Sequence, residues 1–249
     1  MSFTIVIPAR FASSRLPGKP LLNIADKPMV QYVYEQALKS DAEKVIVATD
    51  DDRIVDAVRS FDGEVCMTSS GHVSGTDRIQ EVAEQYRLDS EHIVVNVQGD
   101  EPLIPPKVIN QVAYNLSCNT QAAAATLSEP IRQAADFNNP NVVKVVADRH
   151  QMALYFSRSG IPFPRDKNVE QLLEYVSPQR HIGVYAYRVS LLHRFVEWEA
   201  TTLEQIEHLE QLRILSYGAK IHIEESCEPV PGGVDTPEDL VRLRAEVIS

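Results

Sequence analysis

Short apolar runs rich in β-branched residues alternate along the chain with longer stretches whose hydrophobic residues recur at helical spacing. Phe3 to Ile7 opens the series and is apolar on both sides of the chain, as a strand covered on two faces of a parallel sheet should be. Further strands are expected at Lys44–Thr49, Glu64–Thr68, His92–Val97, Gln121–Leu127, Asn141–Val146, Ala153–Phe156, Arg180–Tyr187 and Lys220–Ile223. Between the first two, Met29, Val30, Val33, Tyr34, Ala37 and Leu38 form one apolar stripe behind a helix start at Pro28. Similar helices are expected from Asp50 to about Ser60, from Ser74 through Tyr86, over Pro105–Leu116, as one long helix over Thr202–Tyr217, and after Pro237. Strand–helix–strand alternation of this kind specifies an α/β, doubly wound, mostly parallel sheet, in which ligands bind beyond the carboxyl ends of the strands.

Several loops fall at such ends. The stretch after Ile7 contains Pro8, Pro17 and Pro20, which exclude a regular helix, and Gly18, which permits a tight turn. It also places Arg10, Arg15 and Lys19 within ten residues, a combination suited to a polyphosphate. Gln98-Gly99-Asp100-Glu101-Pro102 follows the most strand-like run; a carboxylate there is placed to ligate Mg²⁺, which takes one or two carboxylates plus phosphate oxygens and water. Asp235 follows Gly232-Gly233 and precedes a helix whose cap and first turn Thr236, Pro237 and Asp239 explain, so it is left over as a second carboxylate. Asp50-Asp51-Asp52 could hold a metal as in nucleotide-sugar glycosyltransferases, but helix capping is the commoner cause. At Ser74-Gly75-Thr76-Asp77-Arg78 an anion- or hydroxyl-binding helix start and an ordinary capped helix with a surface Arg fit equally. The polar, Pro-kinked run Ser157–Arg165 suits a lid or a dimer arm. His181 and Tyr185 share one face of their strand, where a packed histidine is the ordinary reading, and Glu207, Glu210 and Gln211 suit a solvated helix face.

Composition sharpens this picture. With 249 residues, 44% of them hydrophobic, and no linker, repeat or compositional shift, the chain is expected to form a single domain, residues 1–249. Lys and Arg number 24 against 35 Asp and Glu, so the net charge of -11 argues against nucleic acid and anionic membranes and makes the basic loop a local feature. No run is long enough to span a bilayer, and the N-terminal apolar run is too short for a signal-peptide core. Cys66, Cys118 and Cys227 are scattered, without metal-ligand spacing, as in a cytoplasmic protein with reduced thiols.

Seven motifs in order give the chain a resemblance to the 3-deoxy-manno-octulosonate (Kdo) cytidylyltransferases of lipopolysaccharide synthesis. They are Pro8-Ala9-Arg10 to Leu16-Pro17-Gly18-Lys19-Pro20, Ser74 to Arg78, Gln98 to Pro102, Leu154-Tyr155-Phe156-Ser157-Arg158, His181 to Tyr185, Leu209-Glu210-Gln211-Leu212-Arg213 and Val234 to Glu238. The resemblance implies a Rossmann-like nucleotidyltransferase fold with a dimerisation arm around residues 157–200, and a homodimer. It implies transfer of CMP from CTP to the anomeric hydroxyl of Kdo, with release of pyrophosphate and Mg²⁺ held by Asp100 and Asp235. By the same carry-over Arg10, Arg15 and Lys19 hold the triphosphate, Ala9, Ser70 and Gly75 join the nucleotide site, and Arg10, Lys19 and Asp100 are the catalytic set. Arg78, Gln98, Arg158, Arg165, His181, Tyr185, Glu210 and Gln211 line the sugar pocket. The motifs leave Kdo and 8-amino-Kdo equally open, and no residue stands out as a general base. A metal-dependent glycosyltransferase and a non-catalytic nucleotide-binding module are the other classes considered. A dinucleotide-dependent oxidoreductase is disfavoured by the lack of G-x-G-x-x-G after the first strand.

Overall fold

The computed structural model describes residues 2–12, 16–72 and 74–248. A nine-stranded sheet forms from β1 (Phe3–Pro8), β2 (Lys44–Thr49), β3 (Val65–Met67), β4 (Ile93–Asn96), β5 (Ala124–Pro130), β6 (Lys144–Ala147), β7 (Ala153–Ser157), β8 (Gln179–Arg188) and β9 (Ile221–Glu225). Its main path runs β9-β5-β8-β4-β1-β2-β3, with β6 paired to β8 and β7 to β6. β1 is parallel to both β2 and β4, with Ile5 opposite Val45 on one side and Val95 on the other. β8 runs antiparallel between β4 and β5, and β9 restores parallel pairing at β5. The order 3-2-1-4 reverses direction between β1 and β4, which opens a crevice beyond their carboxyl ends.

Both faces are covered, as the two-sided hydrophobicity of the strands requires. Phe3, Ile5 and Ile7 of β1 pack with helices α1 (Met29–Ala37), α2 (Asp52–Ser60) and α4 (Pro106–Cys118) through Val30, Val33, Ile54, Val58, Val108 and Val112. Val6 faces the other layer, where α3 (Gly75–Gln85) joins the helices Val189–Phe195 and Gln211–Ser216 through Ile79, Val82, Leu192, Phe195 and Leu212. The closing helix, Pro237–Ile248, is fastened by Leu240 and Leu243 against Ile24 and Met29, which holds the preceding Gly-Gly-Val-Asp run over the crevice.

One expectation needs correction. Thr202–Tyr217 is not one helix: it is split into Thr202–Glu207 and Gln211–Ser216, with His208 in the left-handed region at φ 51° and ψ 51°. No Gly or Pro marks the break. It is imposed from outside, by the Arg158 side chain, which takes up the carbonyls of Glu207 and His208. Between residues 157 and 200 the chain leaves the sheet in a projecting segment before it returns. The segment is confined to the irregular run after Ser157 with one short helix, Val169–Leu173, because β8 returns to the sheet and Val189–Phe195 packs on the core.

Candidate active site

The crevice between β1 and β4 is the mouth of a cavity of about 700 Å³. One wall comes from the first half of the chain: Pro8, Ala9, Arg10, Ala12, Lys19, Gly75, Thr76, Asn96, Gln98, Gly99 and Asp100. The wall facing it comes from the second half, with His181, Gly183, Tyr185, Tyr187, His208, Leu209, Glu210 and Gln211, while Asp235 stands beside Lys19 on the first side.

Local conformation explains how the charged groups meet. Ala9 N–H donates to the Ala48 carbonyl at 2.9 Å, extending the β1–β2 ladder before the loop departs. The loop closes on itself where Gly18 N–H donates to the Phe11 carbonyl at 2.9 Å and Gly18 takes φ 68°, a turn that launches the short 3₁₀ helix Lys19–Leu21. On the neighbouring strand, Gly99 lies so close to β1 that a Cβ there would stand 2.8 Å from the Pro8 carbonyl oxygen. Val234 N–H then donates to the Asp100 carbonyl at 2.9 Å, laying the C-terminal segment across the end of β4. As a result Lys19 Nζ donates to Asp100 Oδ2 at 2.6 Å and to Asp235 Oδ1 at 3.2 Å. Two carboxylates from positions 135 residues apart converge on one cation, a pair of hard oxygen donors of the kind Mg²⁺ prefers. Among the described residues no cluster of three or more His, Cys, Asp or Glu side chains could hold a metal by itself.

Glu101 lies behind this pair with Oε2 buried and without a hydrogen-bond partner among the described residues. Burial and then the neighbouring Asp100 charge push its carboxyl up to about 8. The motif Gln98–Pro102 contains Glu101, yet nothing in the spacing distinguishes it from a turn residue.

The opposite wall is aromatic and polar. The His181 ring meets Phe156 edge-on at 5.1 Å and stands 5.3 Å from Tyr185, and Tyr185 stacks on Tyr187 at 5.4 Å. His181 Nε2 is 3.0 Å from Thr126 Oγ1, and burial lowers its pKa to about 3, so the ring is neutral. His181 and Tyr185 line the same cavity, as their spacing suggested, across a bulge of β8 against β5 between Ile182 and Tyr185. Thr76 Oγ1 donates to Glu210 Oε2 at 3.0 Å, joining α3 to the corner after His208. Burial raises the Glu210 carboxyl above its ordinary value and the Thr76 hydrogen bond opposes that shift. Thr76 and Tyr187 had no place in the expected site; the signal for Thr76 lay within the Ser74–Arg78 motif, and for Tyr187 in its even spacing from Tyr185 along a strand.

The structure brings Ala9, Arg10, Lys19, Gly75, Gln98, Asp100, His181, Tyr185, Glu210, Gln211 and Asp235 to one cavity. Arg15 lies outside the described residues. Four other expected residues are not among those lining it. Arg78 is fully buried, with Nη2 donating to Asp50 Oδ2 at 2.9 Å and Nη1 donating to Thr68 Oγ1, because its helix position points it into the layer between α3 and the ends of β2 and β3. Arg158 spends its guanidinium on the carbonyls of Glu207, His208 and Pro140. Arg165 is carried outward on the projecting segment, 91% exposed, and Ser70 is exposed in the turn before α3. The capping reading of the aspartate run holds: Asp51 accepts from Arg53 N–H at 3.0 Å as the N-cap of α2, and Asp50 serves Arg78. In Ser74–Arg78 a full capping box forms between Ser74 and Asp77.

Residues 4–221 match the cytidylyltransferase family model. A CMP:2-keto-3-deoxy-manno-octonic acid synthetase solved as a complex with CTP superposes with a TM-score of 0.90, 42% identity and coverage of 99% of this chain and 98% of that one. A cytidylyltransferase from Leptospira borgpetersenii, 19% identical with a TM-score of 0.60 over 99% of this chain and 93% of that one, shares the fold. Identity reaches 60% with the 3-deoxy-manno-octulosonate cytidylyltransferase of Saccharophagus degradans, over the whole of both chains, and 56% with that of Photobacterium profundum, over 98% of this chain and 99% of that one. Identity at this level along the full length, on a sheet that opens its crevice between β1 and β4, makes the chain a member of the 3-deoxy-manno-octulosonate cytidylyltransferase family.

Proposed function

We propose that the protein transfers CMP from CTP to the anomeric hydroxyl of 3-deoxy-D-manno-octulosonate, with Mg²⁺, supplying lipopolysaccharide synthesis in the cytoplasm. The observation that carries the reading is the convergence of Lys19, Asp100 and Asp235 at the strand crossover, facing a polar and aromatic wall across one cavity. In the reaction the acceptor oxygen bonds to the α-phosphorus, the α–β phosphoanhydride bond breaks, pyrophosphate leaves with the bonding pair, and the hydroxyl proton passes to solvent. Both reactants are anions, so positioning and charge neutralisation do most of the work. Arg10 and Lys19 bind the triphosphate. Asp100 and Asp235 would hold Mg²⁺, which when bound neutralises phosphate charge and polarises the α-phosphate. Gln98, His181, Tyr185, Glu210 and Gln211 orient the acceptor, with His181 acting as a neutral hydrogen-bonding group.

The projecting segment exposes Phe163 at 82% and Tyr175 at 71%, and these support a homodimer formed through it. Cys66, Cys118 and Cys227 are all free, in keeping with a reducing compartment. No helix among the described residues is long and apolar enough to cross a membrane.

Pyrophosphate release measured across four nucleoside triphosphates and a set of sugar acids tests the reading. Release is expected only with CTP, Mg²⁺ and Kdo together; release with another nucleotide, or none with Kdo, would overturn it. Light scattering in solution decides the dimer.

A further inference from the structure

The corner between the helices Thr202–Glu207 and Gln211–Ser216 delivers Glu210 and Gln211 to the cavity, yet its backbone is unfavourable. His208 adopts the left-handed conformation, which costs a non-glycine residue roughly 1 kcal/mol, and the carbonyls at the end of a helix lack partners within it. Something outside the helix must hold this shape.

Glu207 does so from both ends of its structure. Its Oε1 accepts from Ser157 Oγ at 2.6 Å and from Tyr155 OH at 3.4 Å, and Oε2 accepts from the Arg158 N–H at 2.9 Å. In return Arg158 Nε donates to the Glu207 carbonyl at 2.6 Å and Nη2 donates to the His208 carbonyl at 3.3 Å. The end of β7 is itself fixed, because the buried Lys144 Nζ donates to the carbonyls of Arg158, Val142 and Asn139 at 2.6, 2.6 and 2.9 Å. Beyond the corner, Thr76 grips Glu210 and Leu209 is buried. The corner is therefore clamped between α3 and β7, and β7 is where the projecting segment begins.

We propose that Glu207 is a positioning residue for the sugar acid: by locking the His208 corner to Ser157 and Arg158 it sets where Glu210 and Gln211 stand. The inference rests on the reading of that wall as the acceptor side. Burial by itself would raise the Glu207 carboxyl, but the hydrogen bonds from Ser157, Arg158 and Tyr155 leave it below its ordinary value, so it is ionised and accepting throughout the neutral range. Gln at this position offers one acceptor oxygen where the lock uses two, and turns an NH₂ toward a donor.

The test compares the full-length enzyme with Glu207→Gln and Ser157→Ala. In Glu207→Gln the KM for Kdo should rise roughly tenfold while the CTP affinity stays within about twofold, and amides of residues 209–213 should lose hydrogen-exchange protection. Ser157→Ala should shift the same quantities in the same direction by less, and it carries the comparison if Glu207→Gln does not fold. Equal weakening toward both substrates in step with a lower Tm, or unchanged exchange at the corner, would overturn the proposal. If the wild-type enzyme binds CTP but takes no Kdo, the acceptor reading fails, and the exchange measurement still decides whether Glu207 holds the corner.

Discussion

Replacing Asp50 with Ala should be far more damaging than replacing either aspartate that follows it. Arg78 is fully buried, its Nε has no hydrogen-bond partner among the described residues, and its charge is balanced by Asp50 at 2.9 Å. Removing one member of a buried ion pair typically costs about 3–5 kcal/mol, because the other is left uncompensated. The Asp50 side chain is 19% exposed, so water can partly fill its place and the low end applies. About 3 kcal/mol corresponds to a Tm lower by roughly 6–12 °C in a chain of this size. Asp51→Ala loses a cap worth about 1 kcal/mol, and its exposed partner Arg53 adds little. Asp52→Ala loses only a helix-dipole contribution of about 0.3–1 kcal/mol. Arg78→Met should cost less than Asp50→Ala, since it takes the buried charge away and leaves Asp50 able to hydrate. Thermal and urea denaturation of the four variants, with and without MgCl₂, measures all of this. A loss at Asp50 no greater than at Asp51, or an Mg²⁺ effect abolished in the Asp51 or Asp52 variant, would refute the assignment of this run to capping and to Arg78.

Other outcomes follow from the same geometry. Lys19→Ala should lower turnover by about 10²-fold or more while the protein remains folded, as checked by steady-state pyrophosphate release beside circular dichroism. Gly99→Ala forces a Cβ to within 2.8 Å of the Pro8 carbonyl and should destabilise the protein by roughly 1–3 kcal/mol in urea titrations, with a matching loss of activity. His181 should stay neutral from pH 5 to 8, so its ring resonances in NMR should not titrate there. With a folded pKa of about 3 and an ordinary unfolded value, the unfolded chain binds the extra proton first on acidification. His181 therefore removes stability as the pH falls from about 6.5 toward 3, and His181→Phe should flatten that part of the stability profile.

Much of the architecture could be read from short-range signals. Two-sided apolar runs such as Phe3–Ile7 and His92–Val97 declared a sheet covered on both faces, the strand–helix alternation declared its parallel part, and the loops at their ends carried Arg10, Lys19 and Asp100 into one crevice. What escaped was set by distant partners. Thr202–Tyr217 has an unbroken helical stripe, and only Arg158, some fifty positions earlier, shows why the chain turns at His208. Arg78 belongs to a motif that invites an anion, but which way a helix turns its arginine depends on the Asp50 and Thr68 it finds in the fold. Glu101 looked like a turn residue because neither its burial nor the closeness of Asp235 is written in neighbouring positions.

The two walls of the cavity have separate origins, one from residues up to Asp100 and the other from His181 to Gln211, with Asp235 crossing to stand beside Lys19. With the proposed division of the site, a lineage would redesign its acceptor preference by substitutions between residues 181 and 211 while the half that precedes Asp100 stays constant. The two halves of the lining could then drift at different speeds, tied where Asp235, arriving last along the polypeptide, meets Lys19 and where Glu210 meets Thr76.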